Sequence, residues 1–161
     1  MHDQNITSNF IVFQNSKELS ASDNALLLKA IGARQNAYAP YSEFFVGASV
    51  LMDNGSVFTG NNQENAAYPS GVCAERVAIW TAMSQLPHGK IKKIFITASS
   101  SKTDVNRPVA PCGSCRQAIA EYEIKQETDI EIFFTGESGK IIKAHSIKDL
   151  LPWLFDKSLL K

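Results

Sequence analysis

Every cysteine of the 161-residue chain falls in one of two short segments, Val72-Cys73-Ala74-Glu75-Arg76 and Pro111-Cys112-Gly113-Ser114-Cys115. Three thiolates form a donor set suited to zinc, and a set of three protein ligands leaves a fourth position for water. Zinc lowers the pKa of a bound water toward neutrality, so such a site generates a hydrolytic nucleophile at ordinary pH. Glu75, two residues after the first cysteine, adds the other group that hydrolysis needs. A carboxyl beside the metal can take a proton in one step and return it in a later one. The competing reading of Glu75 is a first-turn glutamate that complements a helix dipole.

Other readings of the thiols explain less. An odd number of cysteines cannot all pair within the chain, which argues against a disulfide framework. The stretch from Met1 to Lys17 is polar and broken, with no apolar secretory core, so a reducing cytoplasmic setting is expected. Free cysteines are often small buried hydrophobes. Here, however, two share a C-x-x-C after a proline, and the third also precedes an apolar helical run. A redox pair at Cys112 and Cys115 leaves Cys73 and the C-A-E triplet unexplained. A structural zinc usually takes four protein ligands. The three histidines, His2, His88 and His145, are scattered and lack ligand spacing. One zinc per chain, held by Cys73, Cys112 and Cys115, is the expectation.

Three thiolates weaken the acidifying effect of the metal unless their charge is offset. Both cysteine segments read as helix starts, where the dipole and free backbone N–H groups favour anions. Arg76 and Arg116 each follow a motif residue directly and are placed to donate hydrogen bonds to sulfur. The plainer reading of either arginine is a solvated surface charge.

The remaining pattern supplies the scaffold. Ser22 or Asp23 is expected to cap a helix with apolar positions at Leu26, Leu27, Ala30, Ile31 and Ala33, bounded by Pro40. Residues 45–52 read as a strand, followed by the hairpin turn Asp53-Asn54-Gly55-Ser56 and a return over 57–60. Residues 73–83 read as a helix with Ala74, Val77, Ala78, Trp80 and Thr81 at or near the interior. The continuous apolar run Ile94-Phe95-Ile96 marks a central strand. A second motif helix over 112–122 follows. Then come strands over 130–135 and 140–144 around Gly136-Glu137-Ser138-Gly139, and a short helix over 147–151. This order fits a mixed sheet between helices. Residues 1–21 read as an N-terminal extension in which Phe10-Ile11-Val12-Phe13 is able to add an edge strand, and 22–161 read as one domain. The polar stretch 99–109 reads as a loop near the site.

Several of these segments resemble the small zinc-dependent cytidine deaminases. The likeness covers roughly Leu26 to Phe155. It rests on Tyr38-Ala39-Pro40-Tyr41-Ser42 with Phe44 and Val46-Gly47-Ala48, on Gly60 to Pro69 (GNNQENAAYP), on the two cysteine motifs with Arg116-Gln117, and on Leu150-Leu151-Pro152 with Phe155. The C-A-E…P-C-G-S-C order is the all-cysteine form of the zinc-deaminase signature. The resemblance implies a three-layer α/β/α sandwich around a mixed five-stranded sheet, and a homotetramer. It also implies hydrolytic deamination of cytidine and 2′-deoxycytidine in pyrimidine salvage. By the same resemblance Glu75 is the general acid and base, and the Ala74 backbone helps hold the pyrimidine. Asn62 and Glu64 bind the ribose hydroxyls, Phe44 packs on the nucleoside, and Phe155 and Tyr68 belong to a pocket shared between subunits. Without it, 61–65 is a polar loop and both phenylalanines are core aromatics.

Composition narrows the partners. Formal net charge is zero and no long basic run exists, so a sequence-independent nucleic-acid surface is unsupported. No stretch is long and apolar enough to span a membrane. A small pyrimidine nucleoside is the expected substrate. A related cytosine nucleoside such as blasticidin S is the alternative within enzymes. A non-catalytic zinc-stabilised module is the alternative outside them.

Overall fold

Alternation along the strands determines how this molecule is layered. In the central strand β4 (Ile91–Ser100), Ile94 and Ile96 belong to one core and Phe95 to another, as a period of two requires. The same switch occurs in β5 (Glu131–Thr135), with Ile132 and Phe134 on one side and Phe133 on the other. Both faces are therefore apolar and both must be covered. Helix α1 (Ala21–Arg34) covers the Phe95–Phe133 face with Leu26, Leu27 and Ala30. Helices α2 (Ala74–Gln85) and α3 (Gly113–Gln126) cover the other with Ala78, Ile79, Ala82, Ile119 and Ala120. Full burial of each isoleucine stabilises this arrangement by about 1.5–3 kcal/mol.

The computed structural model describes residues 2–160. The remaining strands are β1 (Phe10–Phe13), β2 (Phe44–Met52), β3 (Val57–Asn61) and β6 (Ile141–Ala144). They form one six-stranded sheet in the order β1-β6-β5-β4-β2-β3. Among the strand pairs of the described residues only β4–β5 is parallel. This is the expected α/β/α sandwich around a mixed sheet, with the sixth strand supplied by the N-terminal segment. β1 pairs with β6, and Phe13 stacks on Phe133 with ring centroids 6.3 Å apart. Among the described residues no helix is long and apolar enough to cross a membrane.

Two glycines let the helices seat directly on the sheet. A Cβ at Gly47 would stand 2.1 Å from the Ala30 carbonyl oxygen of α1. One at Gly60 would stand 2.5 Å from Ala78 N and 2.6 Å from the Ala74 oxygen of α2. Gly60 thus sets the height of the α2 N-terminus, which carries Cys73 and Glu75.

Three local expectations are corrected. The cap of α1 is Ser20, not Ser22 or Asp23. Its Oγ accepts from Asp23 N at 3.1 Å, while the Asp23 carboxylate accepts from the Ser20 hydroxyl at 2.8 Å. This reciprocal pair moves the helix start two residues earlier. Trp80 is 47% exposed, because the buried stripe of α2 runs through Ala74, Ala78 and Ala82 with Glu75 and Ile79. Residues 147–151 are not a full helix: Ile147–Asp149 makes a single 3₁₀ turn capped by Ser146. Pro152 disfavours helical backbone at Leu151 and stops any extension.

Candidate active site and metal centre

Cys73 and Cys112 are the N-caps of α2 and α3, and Cys115 lies in the first turn of α3. Both helices lie on the same face of the sheet, so their N-termini converge as the sequence predicts. The Cys112 Sγ stands 3.9 Å from that of Cys73 and 3.5 Å from that of Cys115. All three sulfurs lie within 4.8 Å of one another. Two sulfurs bound tetrahedrally at about 2.3 Å to one zinc stand about 3.8 Å apart, so the spacing fits the ion. No histidine or carboxylate joins this cluster among the described residues. The donor set is therefore three thiolates, and it binds one zinc per chain.

Charge at the cluster is unevenly shared. The Cys73 thiol is pulled down to about 5, first by the neighbouring Cys115 thiol and then by Arg76 and Cys112, against the opposing effect of burial. Cys115 is pushed the other way by the neighbouring Cys73 and by its own burial. Arg76 Nη2 donates to Cys73 Sγ at 3.5 Å. Its guanidinium also sits 5.7 Å from the Trp80 ring centroid, which accounts for that exposed tryptophan as a partner of the arginine. Arg116 departs from expectation. It donates to the carbonyls of Pro111 and Leu150, not to sulfur.

Glu75 is only 4% exposed. Burial pushes its carboxyl above the ordinary range, and the neighbouring Cys73 charge adds to the push. Its own backbone N–H, Cys115 and Arg76 act in the opposite direction. A buried carboxyl with a raised pKa beside a metal site is a candidate for proton transfer.

A cleft of about 500 Å³ reaches this centre, with Cys73 and Arg76 in its wall. Asn62, Glu64 and Tyr68 also line it, as do Tyr41, Ser42 and Gln63, which the sequence alone did not single out. Asn62 and Glu64 both reach toward the 41–46 segment. Asn62 Oδ1 accepts from Val46 N at 2.7 Å, and its Nδ2 donates to the Phe44 carbonyl at 2.9 Å. Glu64 accepts from Tyr41 N at 2.9 Å, Ser42 N at 3.2 Å and the Ser42 hydroxyl. The Tyr41 and Tyr68 rings meet edge to face at 6.3 Å. Ala74 is fully buried at the first position of α2. Phe44 and Phe155 are not in the cleft wall. Phe44 is half-buried beside the 103–109 loop, in a neighbouring hollow of about 440 Å³. Phe155 is 57% exposed, and its carbonyl accepts from Gln117.

Sulfur ligands at paired helix ends, beside a buried carboxyl and open to a nucleoside-sized cleft, make a zinc-dependent hydrolase of the layered α/β/α type. The chain belongs to the cytidine and deoxycytidylate deaminase family, since residues 20–128 match the model of that family's zinc-binding region. A cytidine deaminase from Halalkalibacterium halodurans is 40% identical over 134 residues, which cover 83% of this chain and 94% of the relative. One from Sporosarcina psychrophila is 37% identical over 82% of this chain and 90% of its own. The crystal structure of cytidine deaminase from Burkholderia pseudomallei superimposes with a TM-score of 0.71 at 35% identity, over 85% of this chain and all of the other. That from Mycobacterium tuberculosis gives 0.64 at 30% identity, over 85% of this chain and 99% of the other.

Proposed function

We propose that this protein hydrolytically deaminates cytidine and 2′-deoxycytidine to uridine and 2′-deoxyuridine, releasing ammonia, as a cytoplasmic homotetramer of pyrimidine salvage. The observation that carries the reading is the convergence of three thiols and the buried Glu75 beside a cleft whose wall holds Asn62 and Glu64. Cys73, Cys112 and Cys115 would hold the zinc, which when bound would make a water acidic enough to serve as the source of the nucleophile for the ring carbon bearing the amino group. Glu75 would take one proton from the attacking water and deliver it to ring N3, then carry that water's second proton to the departing amine. Its burial next to Cys73 and Cys115 supports this role. Arg76 draws charge from Cys73 and so limits how strongly the thiolates quench the metal's acidity.

The backbone at Ala74 holds the pyrimidine. Asn62 spends one amide hydrogen and one oxygen lone pair on β2, which leaves one donor and one acceptor for a sugar hydroxyl. Glu64 has three acceptor sites occupied, and the fourth serves the neighbouring hydroxyl. Phe44, whose carbonyl is held by Asn62 of the cleft wall, packs against the nucleoside. Tyr68 and Phe155 complete a pocket shared between subunits, a role supported by their exposures of 78% and 57% in the single chain. Light scattering that finds a fully active monomer at assay concentration would sink the tetramer.

The test is ammonia release by zinc-loaded protein given cytidine, deoxycytidine, blasticidin S, adenosine and free cytosine in parallel. Turnover of the first two alone is expected. Turnover of blasticidin S alone would move the protein to another substrate class. Turnover of none of them would overturn the assignment.

A further inference from the structure

We infer that Arg116, assisted by Gln117, is a positioning residue that fixes the metal-binding loop by tying it to the C-terminal segment. The inference rests on reading the three thiols as the zinc ligands. Arg116 Nε donates to the Pro111 carbonyl at 2.9 Å, and Nη1 donates to the Leu150 carbonyl at 2.8 Å. One carbonyl belongs to the residue directly before Cys112. The other belongs to a leucine packed against the main core. A guanidinium holds its donors in one rigid plane, so the two acceptors are fixed relative to each other. Gln117 extends the connection, with Nε2 donating to the Phe155 carbonyl at 2.8 Å. Leu154, between the two attachment points, also packs on the core. The stretch 150–155 is thus a post on which the first turn of α3 hangs.

The geometric consequence concerns Cys112. As an N-cap, it has no side-chain hydrogen bond to the end of its own helix, and its side chain is exposed. Its carbonyl accepts from Arg116 N at 2.9 Å, and the peptide that precedes it is the other backbone anchor. Pro111 is buried and lacks an N–H, so its carbonyl is the polar group of that residue available for anchoring. Arg116 holds that carbonyl from within the same helix turn that carries Cys115. It therefore sets the separation of Cys112 and Cys115 without touching either sulfur. Because the same side chain holds Leu150, any displacement of the Phe155 segment is transmitted to the ligand loop.

The experiment uses the full zinc-loaded chain and three variants, Arg116→Met, Arg116→Lys and Gln117→Met. The readouts are the rate of zinc transfer to a colorimetric chelator, well below the unfolding temperature, and the thiolate charge-transfer spectrum of the cobalt-substituted protein. Removing a group that orients metal ligands weakens metal binding by about 10–100-fold, and R116M is expected in that range. R116K, whose single ammonium reaches one carbonyl at a time, shifts in the same direction by less and keeps the test decisive where R116M does not fold. Q117M shifts least. Phe133→Leu, on the opposite face of the sheet, calibrates how much zinc release follows from lost stability alone. Faster release and an altered cobalt spectrum in the Arg116 variants, beyond that calibration, support the inference. Native zinc retention with Arg116 variants on the Phe133→Leu line overturns it and leaves the thiol reading intact. A native chain that holds no zinc overturns both.

Discussion

The two faces of the sheet differ in how completely their polar groups are partnered within the protein. On the α1 face, Lys93 bridges Asp23 at 2.6 Å and Glu131 at 3.3 Å, and Lys143 pairs with Glu131 as well. Both ammonium groups sit over the Phe133 ring, 5.7 and 5.4 Å from its centroid, and that ring stacks on Phe95 at 4.1 Å. Arg34 donates to Thr97 Oγ1 at 2.9 Å and to the Ala98 carbonyl at 3.2 Å. On this face the protein itself supplies the partners. On the α2–α3 face three thiols crowd together, and Arg76 Nε is buried with no partner. Two carboxyls on this face make the contrast sharpest, because each is 4% exposed. Glu123 accepts from Ile130 N, Ile147 N and the Ser146 hydroxyl at 2.8, 3.0 and 2.5 Å, so it serves as a structural tie. Glu75 has no comparable set of donors, and burial raises its pKa. Equal burial with different partners distinguishes the two carboxyls.

This contrast can be broken from either side. The largest effect is expected from Cys115→Ser. Metal analysis should fall from about one zinc per chain to almost none. Turnover should vanish while far-ultraviolet circular dichroism is retained. On the opposite face, Phe133→Ala should lower stability by about 3–5 kcal/mol in denaturant titration, yet leave zinc affinity near native in the protein that remains folded. A loss of zinc affinity there would mean that the two faces are not separable. The smallest effect is expected at Glu64. Its hydrogen bond with the Ser42 hydroxyl, helped by the Tyr41 and Ser42 backbone N–H groups, holds its carboxyl below the ordinary range against the opposing effect of burial. A depressed folded pKa stabilises the protein above the unfolded value and loses that contribution as pH falls through the folded one. Native protein and Glu64→Gln should therefore differ in thermal midpoint at neutral pH and converge as pH drops below about 4.5. A constant difference across that range would remove the carboxylate from the 41–42 turn.

Much of the metal centre was legible in the sequence because its information is local. C-A-E and P-C-G-S-C each place their ligands within one helix turn, and the apolar run of β4 fixes the middle of the sheet. Partnerships across long sequence separations were not legible. Arg116 follows Cys115 directly, yet its charge is used 34 residues away at Leu150. Glu123 looks like one more helix glutamate until β5 and the 146–147 turn close over it. Trp80 reads as core by residue type, but helix phase turns it outward toward Arg76. The Tyr41–Ser42 wall of the cleft depends on Glu64 reaching across 22 residues. A short motif cannot encode these pairings, because they exist only after the sheet has assembled.

The central claim is that Glu75 is the proton carrier of a zinc site and not part of its framework. Glu75→Gln keeps the size of the side chain and removes its proton exchange. Metal content and turnover of cytidine measured on the same preparation test the claim most directly. The expected result is native zinc content with turnover lowered by about 10²–10⁴-fold, the share that general acid–base catalysis usually supplies. Native turnover in fully zinc-loaded Glu75→Gln would contradict it.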